Sequence, residues 1–89
     1  MTRHYTNQRY IDALKDHVLI FDGAMGTNLQ AQFLTPENFG GERYAGCNDH
    51  LVLSYPQAIE KVHRSFLDVG VDVIETCTFR ANRLTLKEY

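Results

Sequence analysis

Two short stretches hold the side chains best suited to grip a small charged molecule. The first is Asp22-Gly-Ala-Met-Gly-Thr27, which follows the apolar run His17-Val-Leu-Ile-Phe21. The second is Glu75-Thr-Cys-Thr78, near the end of a β-branched run that begins at Val71. A carboxylate on Asp22, backbone amides opened by Gly23 and the hydroxyls of Thr76 and Thr78 could together hold the ammonium and carboxylate of an amino acid. Glu75 adds a second acid at the same place. Asp-Gly is also a common turn pair, and in that reading Asp22 only caps the turn.

For these residues to meet, the chain between them has to bring two segment ends together. The continuous apolar run 17–21 suits a strand covered on both faces, as in a parallel sheet. Ser54, with Gln57 three residues on and Pro56 in the first turn, predicts a helix start. Ala58, Ile59, Val62, Phe66 and Leu67 form its apolar stripe, and Gly70 is a natural stop. Val71-Asp-Val-Ile-Glu-Thr-Cys-Thr-Phe79 then reads as a second strand. Strand, crossover helix and strand make a right-handed parallel βαβ unit. Parallel strands share a direction, so both ends emerge on one rim, where barrel enzymes and open α/β sheets place their sites. Alternation sends Ile74, Thr76 and Thr78 to one side, and Val73, Glu75 and Cys77 to the other.

The remaining segments frame this unit. Asn7 to Asp16 reads as a leader helix, with Tyr10, Ile11 and Leu14 on one face. Thr27 and Gln30 have capping-box spacing for a short helix reaching about Leu34. Thr35 to Asp49, with Gly40-Gly41, is a long irregular excursion of the kind that is usually functional. Arg80 to Tyr89 opens a further helix-like stretch carrying Leu84 and Leu86. Two parallel strands cannot cover themselves, and a (β/α)8 barrel takes ~250 residues, or roughly thirty per repeat. The fold class expected is α/β: the amino-terminal two β/α repeats of an incomplete TIM (β/α)8 barrel. A leader helix at about 7–16 precedes barrel strands at about 17–22 and 71–78.

Composition narrows the function classes. The 89 residues are 44% hydrophobic, with nine basic and eleven acidic side chains and a net charge of −2. That balance gives no electrostatic footprint for nucleic acid or an anionic membrane. No apolar run approaches the ~20 residues of a spanning helix. Met1-Thr-Arg-His-Tyr5 lacks the apolar core of a secretory signal, so a cytoplasmic setting is expected. Cys47 and Cys77 are then expected as free, packed thiols. Cys47, Cys77, His50 and His63 lack the close ligand pairs of a small zinc module, so no metal is expected to bind here. His63 falls at the edge of the apolar helix face, and His4 and His17 read as solvated. Gly23-x-x-Gly26-Thr27 could instead cradle an anion, but the Gly-Lys pair of a P-loop and the dinucleotide fingerprint are both absent. A non-catalytic α/β unit that associates through its open sheet edges is the other alternative.

Three stretches carry a family resemblance: Asp22-Gly-Ala-Met-Gly-Thr27, Gly46-Cys-Asn-Asp49 and Val71-Asp-Val-Ile-Glu-Thr-Cys-Thr-Phe79. In this order and spacing they resemble the opening signatures of the homocysteine S-methyltransferase family. Leu51-Val-Leu-Ser-Tyr-Pro56 and Leu86-Lys-Glu-Tyr89 fit its cobalamin-dependent branch. The resemblance spans roughly Val18 to Tyr89. It implies methyl transfer to the thiol of homocysteine, forming methionine. It also implies a zinc ion that turns the thiol into a thiolate, methylcobalamin as donor, and downstream folate-, cobalamin- and activation-type domains as partners. Betaine or S-methylmethionine would be the donor in other branches. By resemblance, Asp22 and Gly23 help hold the amino-acid group of homocysteine, Thr76 and Thr78 line the same pocket, and Glu75 stands beside them. The family's zinc cysteines lie beyond residue 89, and Cys77 stands where the family usually has Asn. Residues 1–89 therefore read as part of a homocysteine-binding domain, with neither zinc nor cobalamin expected on this chain alone. No turnover is expected from these residues by themselves; methionine formed from homocysteine with no complementing chain present would overturn that expectation.

Overall fold

A computed structural model describes residues 8–89, so the readings of Met1 to Asn7, including that of His4, lie outside the described residues. Helix α1 spans Gln8–Asp16. Its Tyr10 meets Phe21 edge-on, ring centroids 6.3 Å apart, which seats α1 against the first apolar segment. Tyr10 and Ile11 are half-buried, whereas Leu14 stays exposed.

The two apolar segments meet in parallel at Phe21 and Val73. Val73 N–H donates to the Ile20 carbonyl (3.2 Å), and Asp22 N–H donates to the Val73 carbonyl (3.0 Å). Asp72 reinforces the junction twice, since its N–H donates to Ile20 O (2.8 Å) and its carboxylate accepts Ile20 N–H (2.9 Å). Where strands over 17–22 and 71–78 are expected, one isolated bridge pairs the two segments; among the described residues no longer ladder forms. Val18 and Ile20 remain exposed, at 85% and 59%, as side chains of a parallel pair do until neighbours cover them.

Between the segments lies the core. Helix α2 covers Gly26–Gln30, short of the expected reach to Leu34, and no side chain caps its start. Thr27 sits inside the helix, so the expected capping box does not form. Gln32 Nε2 donates to Ala58 O (2.9 Å), tying the end of this turn to the long helix. Residues 35–50 run through turns and two 3-10 turns, Glu42–Tyr44 and Asn48–His50, into α3 (Leu51–Ser54). His50 pins the excursion down: its Nδ1–H donates to Phe39 O (2.7 Å), and its ring stacks on Tyr44 at 4.1 Å. Gly40 (φ +100°) lies so close that an added Cβ would sit 2.8 Å from His50 Cε1.

Helix α4, Pro56–Asp68, begins at the proline with Tyr55 as its N-cap. The expected cap, Ser54, instead donates its hydroxyl to Asn38 O at 2.7 Å, so it fastens the 35–50 excursion. Pro56 presets φ and needs no N–H partner in the first turn, which allows the start without a side-chain cap. At the other end Gly70 (φ +93°) closes a Schellman motif, with Gly70 N–H to Leu67 O (3.0 Å) and Val71 N–H to Phe66 O (3.4 Å). Ala58, Ile59 and Val62 are buried against Leu29, Leu51 and Cys77, with Met25, Leu34, Phe39 and Phe66 packed around them. Helix α5, Arg83–Leu86, starts under the Asn82 side chain, which accepts Thr85 N–H (2.9 Å). No helix among the described residues is long and apolar enough to cross a membrane.

Leu51 is fully buried at the centre of this cluster. Leu51→Ala should lower the unfolding free energy by about 2–5 kcal/mol, read from the urea midpoint. A change within error would show that the cluster does not hold the chain together.

Candidate functional site

The parallel junction brings the two motif-bearing ends together. Just past it, the Asp22 carboxylate reaches across and accepts Glu75 N–H, with both oxygens 3.2 Å from the nitrogen. A cleft of about 340 Å³ opens there. Asp22, Gly23, Met25 and Gly26 form one wall, Glu75, Thr76, Cys77, Phe79 and Arg80 another, and Asn48 and Asp49 close it from the long excursion.

Of the residues expected at the site, Asp22, Gly23, Glu75 and Thr76 line this cleft. Thr78 does not; it stands behind Thr76, their hydroxyls 2.7 Å apart. The reason is local. Thr78 N–H folds back onto Thr76 O (3.0 Å), so residues 76–78 turn instead of running extended. Alternation fails with the turn, and Glu75, Thr76 and Cys77 share the cleft although a strand would part them.

Asp22 is more enclosed than a surface turn residue. Its side chain is only 3% exposed, and on the α4 side His63 Nδ1 lies 3.9 Å from Oδ2. One more α4 residue supports the turn: a Cβ on Gly23 would lie 3.5 Å from the Phe66 ring. The carboxylate therefore acts as a latch between the two segments. It also borders open space, a combination that fits recognition of a cationic group.

Cys77 is buried, and its thiol contacts Asn48 O and Asp49 Oδ1, each at 3.7 Å. Burial pushes the thiol up from 9.0 to about 11, aided by the Asp49 charge, the hydrogen bond to Asp49 and the proximity of Cys47. Cys77 is thus a neutral wall of the cleft. Cys47 is likewise a free, buried thiol. Among the described residues no three His, Cys, Asp or Glu side chains are grouped so as to hold a metal ion.

Sequence reasoning passed over Asn48 and Asp49, whose Gly46-Cys-Asn-Asp49 motif was visible but had no assigned place. His63, expected at the edge of the apolar helix face, stands behind Asp22, a direction that a helix-face pattern alone cannot aim.

A cleft thus opens at the joined ends of two parallel segments, beside a carboxylate latch and the Thr76 hydroxyl. The chain belongs to the homocysteine S-methyltransferase family, whose description, Homocysteine S-methyltransferase, matches residues 19–89. Among curated relatives, a methionine synthase of Mycobacterium tuberculosis (strain ATCC 25618 / H37Rv) is 39% identical over 87 residues, covering 98% of this chain and 7% of that protein. A methionine synthase of Mycobacterium leprae (strain TN) is 37% identical over 87 residues, with the same shares covered. The chain spans about 7% of the length of these relatives.

The folded value of Cys77 lies above its ordinary one, so its stabilising contribution is complete below pH 9.0 and is lost as pH rises through about 11. Alkylation of Cys77, mapped by mass spectrometry, should accordingly reach half its limiting rate near pH 11, and Asp49→Asn should move that midpoint down. A midpoint at the ordinary thiol value would contradict the enclosed, acid-flanked placement.

Proposed function

We propose that the cleft binds the amino-acid end of homocysteine and that the chain forms the opening part of a homocysteine-methylating enzyme. The observation carrying this reading is the meeting of Asp22, Gly23, Glu75 and Thr76 at one 340 Å³ cleft in a member of this family. In this reading the Asp22 carboxylate takes the ammonium, with Glu75 alongside. The amide of Gly23 and the Thr76 hydroxyl, steadied by Thr78, face the carboxylate of the ligand. Met25, Cys77 and Phe79 supply an apolar wall for its methylene chain. The reaction would form a bond between the homocysteine sulfur and a methyl carbon, break the bond from that methyl to its donor, and release the thiol proton.

The fold proposed around the cleft is a (β/α)8 barrel. Val18, Ile20 and Ile74 are exposed apolar side chains on the bridged segments, and further parallel strands would cover them. The relatives named methionine synthase favour methionine as product. Methylcobalamin is the donor that the branch resemblance suggests, with folate-, cobalamin- and activation-type domains as partners in the longer protein. The described residues do not fit the zinc ion of the family. Among the described residues no three His, Cys, Asp or Glu side chains are grouped around Cys77 or elsewhere. The resemblance assigns the zinc cysteines to other parts of the longer protein.

Asp22→Asn keeps an acceptor for Glu75 N–H while removing the charge. Calorimetry should show the unaltered chain preferring homocysteine over N-acetylhomocysteine by about tenfold or more. Asp22→Asn should erase that preference. A preference that survives the substitution would remove Asp22 from ammonium recognition.

A further inference from the structure

The Asp22 carboxylate is almost fully enclosed, yet among the described residues the hydrogen bond it accepts is a single backbone N–H, shared between its two oxygens. Enclosed carboxylates ordinarily collect several donors, because burial strips away the water that would otherwise solvate the charge. On the opposite side, His63 Nδ1 is buried with no hydrogen-bond partner among the described residues. A buried ring nitrogen left alone carries a desolvation cost and calls for an explanation. The two under-satisfied atoms face each other at 3.9 Å. About an ångström of closure would bring them within hydrogen-bond range.

We propose that His63 is a positioning residue for Asp22, presenting Nδ1–H to Oδ2 from the α4 side and so aiming the carboxylate at the cleft. The inference rests on the reading of Asp22 as the ammonium acceptor. His63 and Phe66 lie three residues apart on α4 and back the Asp22-Gly23 turn together, Phe66 against Gly23 and His63 against Asp22. When an ammonium draws the carboxylate toward the cleft, Glu75 N–H cannot follow both oxygens. A donor fixed on a thirteen-residue helix can hold one oxygen in place while the other turns. The tautomer follows from the same geometry. A carboxylate accepts only, so the neutral ring must carry its proton on Nδ1, leaving Nε2 as an acceptor.

Two measurements on the chain test this. The first reads the neutral His63 tautomer from ring ¹⁵N shifts at alkaline pH. The Nδ1–H form is expected, converting toward Nε2–H in Asp22→Asn. An Nε2–H ring, or a tautomer indifferent to Asp22→Asn, overturns the proposal. The second compares homocysteine affinity by calorimetry in His63→Asn, whose amide can mimic Nδ1–H, and in His63→Leu, which offers no donor. His63→Asn should stay within a few-fold of the unaltered chain, while His63→Leu should weaken binding by about tenfold or more. Equal losses in the two variants, at matched thermal midpoints, overturn the positioning role. If the unaltered chain fails to bind homocysteine, the ligand reading of the cleft falls, while the tautomer experiment still decides His63.

Discussion

The site depends on a short set of hydrogen bonds that joins residues some fifty positions apart. Ile20 O accepts from Asp72 and Val73, Asp22 N–H donates to Val73 O, and the Asp22 carboxylate accepts Glu75 N–H. Backbone pairing fixes that the two segments run the same way. The side-chain bond then fixes how far past the junction their ends stay together. Asp22 is therefore structural and, in the reading proposed above, chemical at once. A carboxylate at 3% exposure is stabilised by its latch bond and by the space it borders, and the groups around it leave capacity for a further donor.

Parallel pairing requires a crossover, and α4 supplies one of fitting length. Thirteen helical residues rise about 20 Å, roughly the span of a six-residue strand, so the chain leaves the end of one segment and re-enters at the start of the next. Pro56 sets where the helix begins, and Gly70, in a positive-φ conformation, sets where it stops. The buried stripe Ala58, Ile59 and Val62 fixes the rotation of the helix about its axis. Rotation in turn decides that His63 and Phe66 look toward Asp22-Gly23. Packing and site geometry are thus consequences of the same helix face.

The sequence was legible where one local rule acted alone. The α4 stripe, its glycine stop and the parallel direction of the two segments follow from periodicity, from positive φ and from the crossover between them. It misled where two partners competed for one residue. Ser54 has the chemistry of a helix cap, but the helix begins two residues on at Pro56, which makes a side-chain cap dispensable, and the Ser54 hydroxyl donates to the Asn38 carbonyl. Thr27 has capping spacing, yet the helix already begins at Gly26. Strand alternation placed Thr78 in the cleft, whereas the fold-back of its N–H onto Thr76 O turns it behind the wall. Asp49 was out of reach for another reason. Its motif announces no chemistry until the 35–50 excursion, held by His50 and Ser54, carries it back to Cys77.

Charge at the cleft weighs between the amino-acid reading and the phosphate-cradle alternative. Asp22, Asp49 and Glu75 all border it, against the single guanidinium of Arg80. Arg80 is itself engaged with Glu88 (3.4 Å) and with the Tyr89 hydroxyl (3.5 Å), so its charge is partly answered outside the cleft. A phosphate would bring about two negative charges against three carboxylates, and like-charge juxtaposition costs several kcal/mol. Helix α2 offers little in return. It is five residues long, so few aligned peptide dipoles stand behind its amino end. An α-amino acid brings the opposite pattern, an ammonium for the acid-rich wall and one carboxylate small enough for a backbone amide and a hydroxyl. Gly23, the first glycine of the loop, packs beside the Phe66 ring, where an added Cβ would stand at 3.5 Å.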